Sequence, residues 1–544
     1  MYSARIKRKT LAALLLTVPV TTHAQNPEQT TFELAGDQAV VEWISPSTFR
    51  FCRAWGGQSC HSAEVHGASH VKVTRSENDS QIVLETEYLR MEIDKQGLQL
   101  RVLKVGGDVL MAEMGPIVRS AQGIEVERAA AADEKFYGLG ARTDRLADAR
   151  GLIVDSPRPF LISSKGYGLH HSAPGSYLFD MARTKPDRYR ITLRASQRFE
   201  YFFYYGPAPK AIYDEHLEVV PPHGYARFEL LQKTELPSRA TLLPASENPS
   251  WMSLEAAIRS LVHASLSGIF NPAFDVGSYA AGSAALYRRA LQFASVVPLV
   301  CDSYTAALDG AKGTDQKTVM AWRLRLAPFL LPYVEETNSR GYPIIHPLVL
   351  QFPKDEQGRD LTDEFLVGDE ILAAPVYTAD GRRSVYLPMG RWTDLGTNQE
   401  YAGRQTIQIE AGTDEMPLFL KNGSIVPIAG QEAADPMIVH YLPKLAAEFF
   451  MYEPGVEAYT QLHAAPVLDL MRLEVNAKVS RSYEWIIHHM PSPRGVATRE
   501  IEHTQVKERR LLRPGAWYYD AGRQNIHICV EVLAGQTAIT HLTF

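Results

Sequence analysis

A multidomain, mainly β fold with a short α/β part is what this sequence predicts, and three observations lead to it. From Phe32 to about Tyr205, apolar and polar residues alternate in short runs broken by Gly, Pro, Asn and Asp. That is the pattern of an antiparallel β-sandwich. Between Leu254 and Tyr333, apolar residues recur at helical spacing with strand-like pieces between them, a βα arrangement. From Ile344 to Phe544 short strands and turns return, enough for one or two further sandwiches.

In chain order, Arg5, Lys7, Arg8 and Lys9 precede an apolar run from Leu11 to Val20, and Thr22-His23-Ala24 offers a small residue before Gln25. This reads as a signal peptide over residues 1–24, and the expectation is an exported, periplasmic protein. In the sandwich that follows, Gln81-Ile82-Val83-Leu84-Glu85-Thr86 and Tyr189-Arg190-Ile191-Thr192-Leu193-Arg194 alternate cleanly. Pro207 to Leu217 reads as a short helix.

Leu254, Ala257, Ile258, Leu261 and Val262 mark one helix; Trp322, Leu326, Phe329, Leu330 and Val334 mark another, closed by Arg340-Gly341. Between them Ser267-Gly268-Ile269-Phe270, running to Asp275, reads as a strand-like piece. The expected divisions are a leader (1–24), an N-terminal sandwich (25–221), a βα segment (222–343), a proximal C-terminal sandwich (344–430) and a distal β-domain (431–544). The order suits a barrel enzyme with flanking sandwiches. Yet residues 222–343 number about 120, against about 250 for an eight-stranded (β/α) barrel.

Composition narrows the function classes. With 45% hydrophobic and 22% charged residues and a formal charge of −6, the chain is neither disordered nor fibrous. No basic footprint for nucleic acid is present, Lys507-Glu508-Arg509-Arg510 reading as a solvated face. No stretch after the leader is apolar enough to span a membrane. There is no C-x-x-C and no H-E-x-x-H, and His170-His171 and His488-His489 lack metal-ligand spacing, so a structural zinc is not expected. Of the four cysteines, Cys52 and Cys60 are near enough to close a small loop, which spacing alone leaves open.

A series of short motifs gives the chain a resemblance. Phe136-Tyr137-Gly138-Leu139-Gly140 comes first, then Asp155 and Pro159 to Gly168, then Tyr204-Tyr205-Gly206-Pro207. Beyond the βα segment come Leu331-Pro332-Tyr333, Gly341-Tyr342-Pro343, Phe365-Leu366-Val367-Gly368-Asp369, Ala374-Pro375-Val376 and Tyr386 to Trp392. Pro417-Leu418-Phe419, Gly423 to Pro427 and Tyr452-Glu453-Pro454-Gly455 complete the series. In this order they resemble glycoside hydrolase family 31, the α-glucosidase and α-xylosidase family. The resemblance implies a retaining α-glycosidase scaffold with sandwiches around a barrel, an α-linked glucoside or xyloside as carbohydrate ligand, and no cofactor.

Retaining hydrolysis needs two carboxylates about 5–5.5 Å apart, one a nucleophile and one an acid. The family's nucleophile motif, of Trp-x-Asp-Met-Asn-Glu type, has no counterpart here, and Glu218-Val219-Val220-Pro221 leads almost directly to what resembles the sixth barrel strand. The resemblance thus implies a truncated (β/α) barrel remnant without its nucleophile. Ser246-Glu247-Asn248-Pro249-Ser250-Trp251 stands in place of the acid/base segment, which makes Glu247 the catalytic acid candidate or else a surface loop glutamate. Phe274-Asp275-Val276-Gly277 makes Asp275 a candidate sugar ligand or a cap for the following turn. Asp155 is the other candidate substrate ligand, or a turn former beside Ser156-Pro157. Cys301 and Ser303 replace the family's Arg and His, so the expectation is a carbohydrate protein with impaired or lost catalysis. An open half-barrel would also expose edges that an oligomer could cover.

Overall fold

The computed structural model describes residues 21–26, 28–34, 37–60, 70–220, 229–232, 236, 240–244, 248–303 and 310–544. The leader's residues 1–20 lie outside them, and Thr21–Asn26 forms a strand antiparallel to Gln29–Leu34. The chain is mainly β, as expected, and divides into two units.

The first unit comprises Met1–Glu134, Arg150–Ser156 and Lys165–Tyr205. Its longest ladder pairs Asp37–Ser45, Thr48–Ala54, Arg198–Tyr205 and Tyr167–His171 in antiparallel order. Gly123–Ala129 and Arg188–Arg194 lie at the centre of a second sheet, and Thr74 to Ala112 forms a five-stranded meander. Leu89–Asp94 and Gly123–Ala129 bury every second residue, which is why alternation predicts them. Aromatic rings fill the core, Phe203 stacking on Phe49 at 4.9 Å and on Tyr167 at 5.5 Å. Arg50 is buried among these strands and pairs with Glu200 at 2.7 Å and Glu42 at 2.9 Å. Cys52 and Cys60 form a disulfide, resolving the pairing left open by sequence.

The second unit comprises Lys135–Ala149, Pro157–Ser164 and Gly206–Phe544. Here four parallel strands run in the order Glu229–Gln232, Leu299–Asp302, Pro272–Asp275, Thr241–Leu242. Helix Trp251–Leu266 links Thr241–Leu242 to Pro272–Asp275, and helix Ala284–Ala294 links Pro272–Asp275 to Leu299–Asp302. Leu254, Ala257, Ile258, Leu261 and Val262 are all buried on the first helix, matching their spacing.

Two expectations need correction here. Ser267-Gly268-Ile269-Phe270 is not strand: Ser267 caps the helix, Gly268 takes φ +63°, and the Ser267 and Ile269 N–H groups return to the Ala264 carbonyl. The chain also does not pass straight to the strand before Trp251, because Glu229–Gln232 comes first and pairs in parallel with Leu299–Asp302. Its partner is 70 residues ahead, beyond any local pattern.

Helices Gly310–Arg325 and Ala327–Arg340 follow, where periodicity predicts one; Pro328 restarts the helix after Leu326, and Gly341 closes it at φ +68°. A six-stranded sheet from Ile345 to Lys421 then packs Leu366, Leu372, Leu387, Trp392 and Phe419 into one core, with Arg382–Leu387 pairing Gln405–Glu410 beside it. Two further six-stranded sheets make up the remainder to Thr543. The motif glycines have plain steric reasons: a Cβ on Gly138 would sit 2.4 Å from the Phe160 carbonyl oxygen, and one on Gly368 would sit 2.4 Å from the Tyr333 ring.

Candidate functional site

In parallel layers, side chains at the carboxyl ends of the strands converge where ligands bind. Two acidic residues hold that position here. Pro272–Asp275 is buried along its whole length and ends on Asp275, 2% exposed; Leu299–Asp302 ends on Asp302, which is half-buried. Asp275 lies opposite Cys301 in register, so the two carboxylates stand on adjacent strand ends.

Both are engaged by their own layer. The Ser303 N–H donates to Asp275 Oδ1 at 3.1 Å, and Gln316 Nε2, from helix Gly310–Arg325, donates to Asp302 Oδ2 at 2.8 Å. Asp275 occupies the N-cap position of the Val276–Tyr279 turn without capping it through its side chain, so the capping role read from sequence does not hold. Ser278 Oγ instead donates to the Asp275 carbonyl at 2.7 Å.

Cations and phenols surround the edge. Arg288 grips Asp315 through two hydrogen bonds of 2.9 Å and reaches Asp414 at 2.7 Å. Lys312 Nζ donates to the carbonyls of Ala280 and Gly282 at 2.7 and 2.9 Å. Tyr287 is fully buried, and among the described residues its hydroxyl has no hydrogen-bond partner. Burial, then Asp302 and Asp315, push that phenol up, so it stays a neutral donor. Asp302 and Gln316, both half-buried, are therefore the polar groups this edge presents, while Tyr287 is covered.

The remaining candidates fall elsewhere. Glu247 lies outside the described residues, as does Ser246. Asp155 belongs to the first unit, exposed within strand Ile153–Ser156 opposite Leu178, and so forms no turn. Sequence reasoning passed over Asp302, Gln316 and Tyr287. The run Pro298 to Asp302, apolar and ending in a carboxylate, carries the signal for the first. Among the described residues no cluster of three His, Cys, Asp or Glu could hold a metal ion, and no helix is long and apolar enough to cross a membrane.

Residues 341–426 match the family model described as the glycosyl hydrolase family 31 C-terminal domain. An α-glucosidase of Saccharolobus solfataricus is 25% identical over 214 residues, covering 36% of this chain and 30% of that protein. An isomaltosyltransferase of Sporosarcina globispora is 27% identical over 197 residues, 32% of this chain and 18% of that protein. The matches thus span less than a third of these curated relatives. A Flavobacterium johnsoniae dextranase solved with isomaltotriose superposes with a TM-score of 0.83 at 16% identity, over 97% of this chain and 100% of that one. A cycloalternan-forming enzyme from Listeria monocytogenes, solved with a pentasaccharide substrate, gives 0.78 at 14% identity, over 97% and 77%. At these identities the likeness is one of fold.

Proposed function

The chain belongs to glycoside hydrolase family 31, and from that premise we propose that it is an exported carbohydrate-binding protein in which the family's hydrolytic step has been lost. The observation that carries the reading is the parallel layer. Residues 233–240 alone separate strand Glu229–Gln232 from Thr241–Leu242, which leaves no room for further strand–helix units between them. A full barrel repeats that unit eight times. Asp275 and Asp302 stand side by side on one edge, each hydrogen-bonded to its own layer, an arrangement suited to holding sugar hydroxyls. The relatives' α-glucosidic substrates point to glucose-based oligosaccharides as the ligand.

The decisive experiment incubates the full chain with aryl α-glucosides and α-xylosides, and measures isomaltotriose binding by calorimetry. The expected result is no aglycone release above a Glu247→Gln, Asp275→Asn control, with an edge component of binding lost in Asp275→Asn. Turnover that the control lacks would overturn the loss of hydrolysis. N-terminal sequencing of the secreted form tests export, which requires a start at Gln25. A second reading, pairing with another copy of the chain, is favoured by exposed Met252 and Leu324 on helices of this layer; sedimentation velocity distinguishes monomer from dimer.

A further inference from the structure

The second unit holds a polar cavity, of about 740 Å³, where the proximal and distal C-terminal sheets meet. Arg391, Asn398, Glu400 and Asn422 line it from one side, His489 and Arg523 from the other. The size is that of a small-molecule site.

Its walls are built at a conformational cost. Asn398, His489 and Gln524 take φ of +61°, +55° and +54°. Left-handed backbone is unfavourable for most residues with a Cβ, and least so for asparagine. A chain of partly buried hydrogen bonds runs through Asn398 and His488. Asn398 Nδ2 donates to the Arg523 carbonyl at 2.9 Å, and its Oδ1 accepts from Asn525 Nδ2 at 3.0 Å and faces His488 Nδ1 at 2.8 Å. His488 continues to His440 at 3.0 Å, and His489 Nε2 meets Thr393 Oγ1 at 3.0 Å.

The remaining groups identify the ligand chemistry. Glu400 lies 3.3 Å from Arg391 and offsets its charge. Among the described residues Arg523 forms no ion pair. Burial holds the imidazoles of His488 and His489 below the usual range, so both are neutral at pH 7. The nitrogens of His488 are taken by Asn398 and His440, and Nε2 of His489 by Thr393, which leaves His489 Nδ1 as the uncommitted ring atom. A lining of amides, one imidazole, one carboxylate and two guanidiniums presents donors and acceptors together. Hydroxyl groups, which both donate and accept, complement it; a bare anion accepts only and would meet Glu400.

We propose that this seam is a second saccharide site, binding a short neutral gluco-oligosaccharide through hydrogen bonds at the junction of the two C-terminal sandwiches. The assignment rests on the carbohydrate reading above, but on different residues, so the two can fail separately. The test is calorimetric titration of isomaltotriose into the full chain, an Arg523→Ala, Asn422→Ala variant, and Asp275→Asn. The seam variant alters exposed or half-exposed side chains, and Asn398→Gly, which retains the positive φ, provides an independent second probe. Expected are a component weakened about tenfold or more in both seam variants, and its persistence in Asp275→Asn. Binding unchanged in the seam variants and lost in Asp275→Asn would overturn the seam while sustaining the strand-edge site. Absence of any saccharide binding would overturn both. Inorganic sulfate bound in an Arg523-dependent way, with isomaltotriose silent, would make the seam an anion site instead.

Discussion

At the ends of the parallel strands, full charges are held by charges and by carbonyl dipoles: Arg288 by Asp315, Lys312 by two main-chain oxygens, Asp275 by a main-chain N–H. At the seam between the C-terminal sandwiches, neutral rings and amides hold one another, from His440 through His488 to Asn398 and Asn525. The first arrangement depends on each ion keeping its partners. The second depends on imidazoles remaining uncharged. One region should therefore fail by substitution and the other by acid.

The largest effect is expected at Arg323. It is 2% exposed and donates to the carbonyls of Ala294, Val297 and Pro298, closing the end of helix Ala284–Ala294 and the approach to strand Leu299–Asp302. Burial lowers its pKa to about 9, so it remains charged at pH 7. Arg323→Met leaves several buried carbonyls unsatisfied, at a cost of about 3–5 kcal/mol. Urea unfolding followed by tryptophan fluorescence checks this, and a change under 1 kcal/mol would show that water replaces the guanidinium.

Next comes the acid response of the seam. Burial is the largest influence on His440 and lowers its pKa to about 4, opposed by Glu484 and reinforced by His527, Arg509 and Arg325. A histidine with a depressed folded pKa contributes fully above its unfolded value, about 6.5, and that contribution is lost as pH falls toward 4. The loss is at most about 3 kcal/mol, because the His440 side chain keeps some solvent access. Glu484 behaves differently: burial alone would raise its pKa, but His527 and Arg509 reverse that and hold it at about 2. Its contribution is lost only between about pH 4.5 and 2. Melting temperature against pH should therefore fall in two steps, with His440→Gln diminishing the upper one. A single step below pH 4.5 in the parent chain would place the charge sensitivity outside the imidazoles.

Much of this architecture was legible in the sequence, for local reasons. Alternation gave the sandwich strands because each buries one face, and the spacing of Leu254, Ala257, Ile258, Leu261 and Val262 gave a helix because all five face the core. Gly341 marked a helix end because only the left-handed region fits there. What stayed hidden depends on distant partners. The hydrogen bond from Ser303 to Asp275 spans 28 residues, and that between His488 and Asn398 spans 90. No window of sequence reports either, so Asp275 read equally as a sugar ligand or a cap, and the seam was not read at all. Strand Glu229–Gln232 escaped for the same reason, its partner lying at Leu299–Asp302.

The smallest expected effect bears on the segment that most resembles an acid/base loop. Ser250 heads helix Trp251–Leu266: its Oγ accepts the Ser253 N–H at 3.1 Å, while Ser253 Oγ accepts the Ser250 N–H at 2.9 Å. This reciprocal cap satisfies two helix-terminal groups, with serine where glutamate or glutamine is more usual at the third position. Ser250→Ala should cost about 1 kcal/mol, and Ser253→Ala a similar amount. Because each serine holds the other, the double variant should cost less than the two singles added together. Full additivity would mean that the hydroxyls act separately. If the cap serves only the helix, isomaltotriose affinity should be unmoved in all three variants. A loss of affinity matching the loss of stability would instead tie the Ser250–Trp251 turn to the ligand, as the resemblance of this segment to an acid/base loop would have it.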